Sequence, residues 1–277
     1  MSTDLYCVMG NPVEHSQSPR IHARFAELTG QDLSYGRRLI ALDDFPRAVA
    51  AWRAEGGKGC NITVPFKFEA AALATRTTER AALAHACNVL RFDADGIFAD
   101  NTDGVGLVND ITHNAGVALA GASVLLLGAG GAAAGVLGPL IEAKPNSITV
   151  ANRTLGKANA LVQRHATLAA QHSVQLQDCE LHNVSGGFDV VINATSSSLA
   201  GGQVPVPASV LKPGALAVDL MYGPAARGFM DWAAAHGAVP RDGLGMLVEQ
   251  AAEAFALWRG VRPPSAQVLA ELRAALD

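Results

Sequence analysis

The sequence lacks any run of basic residues. Its 277 residues include 21 Lys and Arg against 25 Asp and Glu, for a formal net charge of -4. Nucleic-acid-binding proteins need a cluster or stripe of positive charge that neutralises phosphates. We therefore expect no nucleic-acid partner, and a small-molecule ligand fits this slightly acidic chain better.

The chain also lacks paired cysteines and metal-ligand spacing. Its four cysteines, Cys7, Cys60, Cys87 and Cys179, form no C-x-x-C pair, which disfavours a disulfide framework and indicates a reducing compartment. The eight histidines show no ligand spacing with a third partner, so we expect neither a metal site nor a zinc-dependent alcohol dehydrogenase. Because residues 1–10 lack the basic start and apolar stretch of a secretory signal, we expect a cytoplasmic protein.

Charged residues are absent from residues 111–141, and residues 123–141 are long enough to suggest a membrane span. Several glycines and Pro139 interrupt this stretch, and residues 123–127 have the composition of a short apolar strand. We interpret the segment as a strand, a turn and a buried helix rather than as a membrane helix.

Hydrophobic residues make up 49% of the sequence and occur in short runs between segments of helical composition. Six runs predict strands: residues 5–9, 60–64, 124–127, 147–150, 190–193 and 216–220. Strands that alternate with helices predict a parallel sheet and the α/β class. A chain of this length is expected to form two domains.

A polar turn at residues 101–104 precedes the glycine-rich segment, and we place the domain boundary there. The predicted first domain is residues 1–103 and the second is residues 104–243. Residues 244–277 predict two helices divided at residues 262–264, since consecutive prolines cannot continue a helix. We expect these helices to pack back on the first domain.

A dinucleotide site is indicated after the predicted strand 124–127, where residues 128–133 form a G-x-G-x-x-A pattern. Small residues in such a turn let backbone amides approach a pyrophosphate at a helix N-terminus. The predicted contacts are Gly128, Ala129, Gly130, Gly131 and Ala132. A tight turn before a closely packed helix would explain the same pattern without a ligand.

The end of the next strand indicates which dinucleotide binds. An acidic residue there would bind the ribose 2′-hydroxyl of NAD, but residues 151–154 contain no carboxylate. Arg153 can instead pair with the 2′-phosphate of NADP, and Asn152 and Thr154 add neutral donors. The alternative is that Thr154 caps a helix starting at Leu155 and that Arg153 is a solvated loop residue.

Four polar segments in the first half of the chain carry candidate chemistry: residues 10–19, 61–67, 84–88 and 101–104. Simple structural roles are open for three of them. Ser18 and Pro19 predict an N-cap and a first helical residue, and Asp103 could also be an N-cap. Pro65 suits a first helical position, which would put Lys67 in the first turn. The helix dipole disfavours a cation there, so this lysine is expected to lose its proton more readily than an ordinary solvated lysine.

The four segments, in this order and together with residues 219–224 and 243–250, resemble the motifs of the shikimate dehydrogenase family. The resemblance implies that Lys67 is catalytic and that Asp103 is its carboxylate partner. Substrate contacts are implied for Ser16, Ser18, Asn61, Thr63, Lys67, Asn88, Asp103, Tyr222 and Gln250. Further cofactor contacts are implied for Glu79, Lys157, Leu220 and Gly243. Without the resemblance, Gln250 would be assigned to the surface.

One segment departs from the family pattern: residues 84–88 contain His85 and Cys87, where Gly and Val are common, although Asn88 is retained. The implied fold is an N-terminal α/β substrate domain with a Rossmann-like, doubly wound NADP-binding domain. The implied reaction is reversible oxidation of the 3-hydroxyl of shikimate by NADP, in the biosynthesis of chorismate and the aromatic amino acids. The protein is expected to be a monomer or a homodimer.

Three alternatives stay open. The first is a dehydrogenase that prefers quinate or accepts both acids, or that uses NAD; Arg153 argues against NAD. The second is an NADP-binding sensor without activity, although Lys67 and Asp103 are both present. The third is a methylenetetrahydrofolate dehydrogenase of similar architecture, which would need a different motif from that of residues 61–67.

Overall fold

The computed structural model describes residues 3–195 and 204–276. The chain divides into two compact units. The first is Met1–Gly106 with Leu247–Asp277, and the second is Leu107–Met246. The chain therefore leaves the first unit and returns to it after completing the second.

The first unit is an α/β structure around a six-stranded sheet of order β2-β1-β3-β5-β6-β4. Its elements before the second unit are β1 (Asp4–Gly10), α1 (Ser18–Thr29), β2 (Leu33–Leu39), α2 (Phe45–Ala54), β3 (Gly57–Ile62), α3 (Lys67–Leu73), β4 (Arg76–Thr77), α4 (Glu79–Ala84), β5 (Val89–Asp93), β6 (Gly96–Asp100) and α5 (Asp103–Asn109). Strand β1 pairs in parallel with β2 and β3, whereas β5 is antiparallel to both β3 and β6. The expected parallel pairing holds for β1, β2 and β3 and for β4 with β6, but not for β5, which a two-residue turn joins to β6 as a hairpin.

Apolar side chains cover both faces of this sheet. On one face, Phe45 and Phe66 stack with ring centroids 4.8 Å apart, within a core that includes Cys7 and Cys60. The other face holds an aromatic cluster in which Phe25 contacts Phe255, with centroids 5.7 Å apart. A sheet buried on both faces explains why β1 appears in the sequence as an almost continuous apolar run.

The second unit is a doubly wound sheet of order β12-β11-β10-β7-β8-β9, and all its neighbouring strands are parallel. After a π-helical turn at Asp110–Asn114, its elements are β7 (Ser123–Leu127), α6 (Gly131–Glu142), β8 (Ser147–Asn152), α7 (Leu155–Gln171), β9 (Gln175–Glu180), β10 (Phe188–Asn193), β11 (Leu211–Asp219), α8 (Arg227–Ala235) and β12 (Val239–Arg241). The winding direction reverses between β7 and β10. Ligands bind outside the carboxyl ends of the strands at such a reversal.

The uncharged segment forms strand β7, a turn and helix α6, as expected from its glycines. Most of α6 is buried, because its alanines and glycines let it pack closely on the sheet. Over the described residues, none of the helices combines the length and the apolar character that crossing a bilayer requires.

The tail forms two helices, α9 (Leu244–Arg259) and α10 (Ser265–Leu276), which are separated at the consecutive prolines. From Leu247 onward it belongs to the first unit. Arg24 of α1 binds both carboxylate oxygens of Glu271 at 2.8 and 2.9 Å. The Trp258 indole donates to the Leu90 carbonyl oxygen at 3.1 Å. Both helices of the tail thus contact elements of the first unit.

A buried ion pair lies at the edge of the second unit. Arg241 of β12 binds the two carboxylate oxygens of Asp110 at 2.5 and 2.6 Å. The Asp110 side chain is 0% exposed and that of Arg241 is 19% exposed. Gly245 packs against this carboxylate so closely that a Cβ atom there would lie 1.8 Å from Oδ1.

We predict that Arg241→Ala lowers the free energy of unfolding by about 3–5 kcal/mol, because the buried Asp110 carboxylate would lose its countercharge. Lys212→Ala is the control: Lys212 pairs with Asp189 in the same unit, but both side chains are more than 40% exposed, so its loss should cost about 1 kcal/mol or less. Urea denaturation of both variants checks this. Equal losses would contradict the prediction.

Candidate active site

Lys67 is the first residue of α3, immediately after the turn that follows β3. Its predicted place in a first helical turn is confirmed, but the placement of Pro65 at the first helical position is wrong. Pro65 lies two residues before the helix, and Phe66 is the N-cap residue. The Phe66 ring is fully buried, which fixes the start of α3 against the core.

Lys67 and Asp103 form a close ion pair, with Nζ and Oδ2 2.5 Å apart. Their side chains are 15% and 7% exposed. Asp103 is the first residue of α5, and its carboxylate binds Lys67 and Asn88. The main-chain N–H of Asp103 donates to Oδ1 of Asn101 at 3.1 Å. Asp103 is therefore not an N-cap; its side chain faces the lysine because Asn101 binds the helix start.

Asn88 is the centre of the hydrogen-bond network in this site and is 2% exposed. Its Nδ2 lies 2.9 Å from Oδ1 of Asp103, and 3.0 Å from both Oγ1 of Thr102 and Oε1 of Gln250. Its Oδ1 accepts the main-chain N–H of Thr102 at 2.8 Å. Gln250 is 7% exposed, so its assignment to the surface is wrong. One side-chain amide thus joins the predicted residues of α5 and α9.

Asn61, on β3, is held at both ends of its amide. Its Oδ1 accepts from the Tyr35 hydroxyl at 2.6 Å, and its Nδ2 donates to the Asn88 main-chain oxygen at 3.2 Å. Thr63 follows β3 and is partly exposed. Its methyl group packs against Gly10, where a Cβ atom would lie only 2.3 Å away.

Ser16 and Ser18 lie together at the start of α1, with their Oγ atoms 3.1 Å apart. Ser18 is the first residue of the helix and Gln17 is its N-cap residue, so the prediction of Ser18 as N-cap is off by one position. The Ser18 side chain is directed to Ser16 instead. Arg37 of β2 donates to the Ser16 main-chain oxygen at 2.6 Å and supports this turn.

Cys87 lies behind the lysine, where its main-chain N–H donates to the Lys67 carbonyl oxygen at 3.0 Å. The thiol is fully buried. Burial is the main cause that raises the pKa of Cys87 to about 12, and Lys67 only partly offsets it. His85 has a positive φ of 51° as the C-cap residue of α4. This is a conformation in which glycine is the usual residue.

The glycine-rich turn of the second unit lies where the winding of the sheet reverses. Gly128 has a φ of 108°, and a Cβ atom there would lie 2.9 Å from the Ala194 carbonyl oxygen at the end of β10. Gly130 is the N-cap residue of α6 and has no side-chain cap; a Cβ atom there would meet nothing within 4 Å. Open space beside Gly130 and the absence of a side-chain cap on α6 fit a pyrophosphate. Ala129, Gly131 and Ala132 belong to the same turn and helix start.

Unpaired positive charge follows β8. Arg153 and Lys157 are both exposed, and neither has an ion-pair partner in the described part of the chain. Thr154 occupies the predicted N-cap position of α7 without a side-chain hydrogen bond to the helix. Asn152 donates to the Thr154 carbonyl oxygen at 2.9 Å and shapes the turn. These residues fit the 2′-phosphate of NADP better than a ribose hydroxyl.

Leu220 and Gly243 contact each other within the second unit. A Cβ atom on Gly243 would lie 2.3 Å from the Leu220 carbonyl oxygen, so only glycine fits there. Tyr222 precedes a short 3-10 helix at Gly223–Ala226. Glu79 lies instead in the first unit, as the exposed first residue of α4, so it shares no unit with the other predicted cofactor residues.

No group of three or more His, Cys, Asp or Glu side chains suited to a metal ion occurs among residues 3–195 and 204–276. The arrangement nevertheless brings together a lysine, its carboxylate partner and several hydrogen-bond donors. A separate doubly wound unit has the turn and the free cations that a dinucleotide needs. Fold and site together define a class, the two-domain dinucleotide-dependent dehydrogenases.

Comparison with known proteins agrees with this class. The family models that match are the shikimate dehydrogenase substrate binding domain (residues 8–90), shikimate/quinate 5-dehydrogenase (residues 110–201) and the shikimate 5'-dehydrogenase C-terminal domain (residues 243–273). The NADP(+) shikimate dehydrogenase of Paracidovorax citrulli is 68% identical over 99% of this chain and 98% of its own length. The chain belongs to the shikimate dehydrogenase family.

Solved structures agree. A crystal structure of an Ael1 enzyme from Pseudomonas putida is 48% identical, with a TM-score of 0.88 and 98% of each chain covered. Shikimate 5-dehydrogenase from Thermus thermophilus, solved with NADP(H) and shikimate, is 30% identical, with a TM-score of 0.84 and coverage of 99% of this chain and 100% of that one. The predictions of the family and of the two-domain fold class are confirmed.

Two site-lining residues escaped the sequence analysis. Thr102 lies inside a recognised segment but carried no assigned role, although both its main chain and its hydroxyl bind Asn88. Tyr35 lies on β2, whose alternating polar residues gave no strand signal and no motif. Only the aromatic side chain in an otherwise polar stretch could have singled it out.

We predict that Cys87 resists alkylation by iodoacetamide at pH 8, because a thiol with a raised pKa stays protonated and is a poor nucleophile. Cys179, the partly exposed cysteine, should react first. Mass spectrometry of the tryptic peptides, with and without urea, checks the order. Modification of Cys87 in the folded protein at the rate of Cys179 would contradict the prediction.

Proposed function

We propose that this protein catalyses the reversible, NADP-dependent oxidation of shikimate to 3-dehydroshikimate in the biosynthesis of chorismate and the aromatic amino acids. The observation that carries the proposal is the buried Lys67–Asp103 pair, which is joined to Asn88 and Gln250 by hydrogen bonds. Family membership over nearly the whole chain supports the same reaction. NADP supplies the hydride acceptor when it is bound.

Lys67 acts as the general base. In its deprotonated form the Lys67 amine accepts the proton of the 3-hydroxyl as the C3 hydrogen leaves as hydride, so that the carbon–oxygen single bond becomes a carbonyl. Asp103, 2.5 Å from Nζ, stabilises the resulting ammonium ion. In the reverse direction the ammonium returns the proton to the carbonyl oxygen. The second carboxylate oxygen is bound to Asn88, which keeps Asp103 from turning away from the lysine.

Neutral donors orient the ring. Ser16 and Ser18 bind the carboxylate, and Asn61, Thr63, Asn88 and Gln250 bind hydroxyl groups, with Tyr222 as a further contact. Support for this assignment comes from the polar clusters at residues 16–18 and around Asn88. Such groups hold a small polyol acid in one orientation.

The second unit binds the cofactor through the turn at Gly128–Ala132, with Arg153 on the 2′-phosphate. Asn152, Thr154 and Lys157 are the further contacts around the 2′-phosphate. The remaining cofactor contacts are Leu220, Gly243 and Glu79. The exposed, unpaired state of Arg153 supports NADP over NAD. The boundaries at residues 103 and 243 remain part of the proposal.

The remaining assignments are a monomeric or homodimeric enzyme of the cytoplasm, without a nucleic-acid partner. A dehydrogenase of quinate, or of both acids, is the second candidate, because one matching family model covers shikimate and quinate enzymes together. Parallel assays with shikimate and quinate, each with NADP and NAD, separate the two.

We predict that Lys67→Ala lowers kcat by about 10²–10⁴-fold, the usual share of a general base, and leaves the affinity for NADP unchanged. Lys58→Ala is the control, because Lys58 is an exposed lysine on the same strand that leads to Lys67. Steady-state assays and NADP titrations of both variants check this. Retained turnover in Lys67→Ala would remove it from the mechanism.

We further predict that Arg153→Ala raises KM for NADP by about 10–100-fold through loss of a charge-assisted contact, with little change in KM for NAD. Lys144→Asn is the control, since it removes an exposed positive charge after the C-terminal end of α6, far from the glycine-rich turn. Both cofactors are assayed with saturating shikimate. An equal rise for NADP and NAD would show that Arg153 does not recognise the 2′-phosphate.

A further inference from the structure

Tyr35 lies on β2, outside the six short motifs in which the sequence resembles the family, yet it touches the proposed substrate site. Its ring stacks on His22 with centroids 4.3 Å apart and planes 4° apart. His22 is fully buried, and burial lowers the pKa of His22 to about 3, so the stacking partner is uncharged throughout the working pH range. This packing fixes the position of the Tyr35 hydroxyl.

The direction of the hydrogen bond between Tyr35 and Asn61 is determined by a third residue. One end of the Asn61 amide lies 3.2 Å from the main-chain carbonyl oxygen of Asn88. A carbonyl oxygen can only accept, so the Asn61 atom that faces it is Nδ2. Oδ1 of Asn61 therefore faces Tyr35 at 2.6 Å, and the phenol must be the donor. Burial raises the pKa of Tyr35 well above its usual value, which keeps this donor protonated in alkaline solution.

Asn61 is left with one unused group. Its oxygen accepts from Tyr35, one amide hydrogen binds Asn88, and the side chain also interacts with His22, so the group that it can offer a ligand is the second N–H. Asn61 is 5% exposed, and without the phenol its side chain would lose the donor at 2.6 Å and keep the interactions with His22 and Asn88. The amide would then be held by the Asn88 carbonyl oxygen alone, and its second N–H would no longer be aimed at one fixed position. Ser18 also interacts with the Tyr35 phenol, which connects the same tyrosine to the serine pair.

We propose that Tyr35 is a positioning residue that fixes the orientation of the Asn61 amide, so that the site presents a hydrogen-bond donor and selects a ring carrying a hydroxyl acceptor opposite it. The inference rests on the proposed function, because the ring hydroxyl belongs to shikimate. It adds a residue of β2 to the determinants of specificity.

The test is Tyr35→Phe, which keeps the ring that stacks on His22 and removes only the hydroxyl. Tyr6→Phe is the matched control: Tyr6 is a buried tyrosine of the same unit that stacks on Trp258, with centroids 4.6 Å apart. KM and kcat are measured with shikimate and with its 4-deoxy and 5-deoxy analogues. We expect Tyr35→Phe to raise KM for shikimate about tenfold and to reduce discrimination against one deoxy analogue by a similar factor, with KM for NADP unchanged.

A merely structural role would change KM without changing the ranking of the analogues. Unaltered discrimination in Tyr35→Phe, or an equal loss in Tyr6→Phe, therefore overturns the proposal. Failure of the wild-type protein to oxidise shikimate would count against the proposed function, and a readout without substrate then decides the inference.

The Asn61 side-chain amide is followed by ¹H–¹⁵N NMR, with assignment by Asn61→Asp. Its signals should shift and lose exchange protection in Tyr35→Phe but not in Tyr6→Phe; identical signals in wild type and Tyr35→Phe overturn the proposal.

Discussion

The buried side-chain amide of Asn88 imposes the constraint on which the candidate active site depends. A polar group at 2% exposure must find its hydrogen-bond partners inside the protein. Here those partners come from the start of α5 and from α9. Satisfying one amide therefore fixes where the Asp103 carboxylate lies, and the carboxylate in turn fixes Lys67. The arrangement is held in place because the nearly buried Asn88 amide cannot exchange these protein partners for water molecules.

The nucleotide unit depends on a different constraint, the close approach of main chains. Gly128 must adopt a positive φ and leave room for the Ala194 carbonyl oxygen, and Gly243 must leave room for that of Leu220. Both contacts join loops that follow neighbouring strands. The glycines thus let the loops at this edge of the sheet pack closely against each other. Arg153 remains exposed to solvent, because no acidic side chain in the described part of the chain pairs with it.

Sequence patterns predicted the parts of the fold whose signal is local. The six apolar runs all became strands, and the proline pair separated the last two helices. Strands β2 and β9 were missed because polar residues alternate through them. The hairpin of β5 and β6 was also missed, although Asp95-Gly96 at its turn is a dipeptide typical of hairpins. Pro65 was misplaced because the turn before α3 is longer than one residue.

The candidate site likewise contains residues that the sequence predicted and residues that it did not. Lys67, Asp103, Asn88 and Gln250 meet as the resemblance led us to expect, but their assignment to catalysis stays a prediction. Tyr35 was not found from the sequence, since its importance arises from a contact with Asn61, which is 26 residues distant in sequence. Contacts of this kind depend on the register of β2 beside β1, which no short motif encodes.

The order of the chain has a consequence for synthesis on the ribosome. The second unit is inserted between Gly106 and Leu247, so the first unit consists of two pieces that are translated far apart in time. The corner formed by Asn88, Thr102 and Asp103 closes a short loop, whereas Gln250 must return across 162 residues to reach Asn88. During synthesis, the Asn88 amide of the first unit therefore lacks Gln250 as a partner until the inserted second unit has been translated.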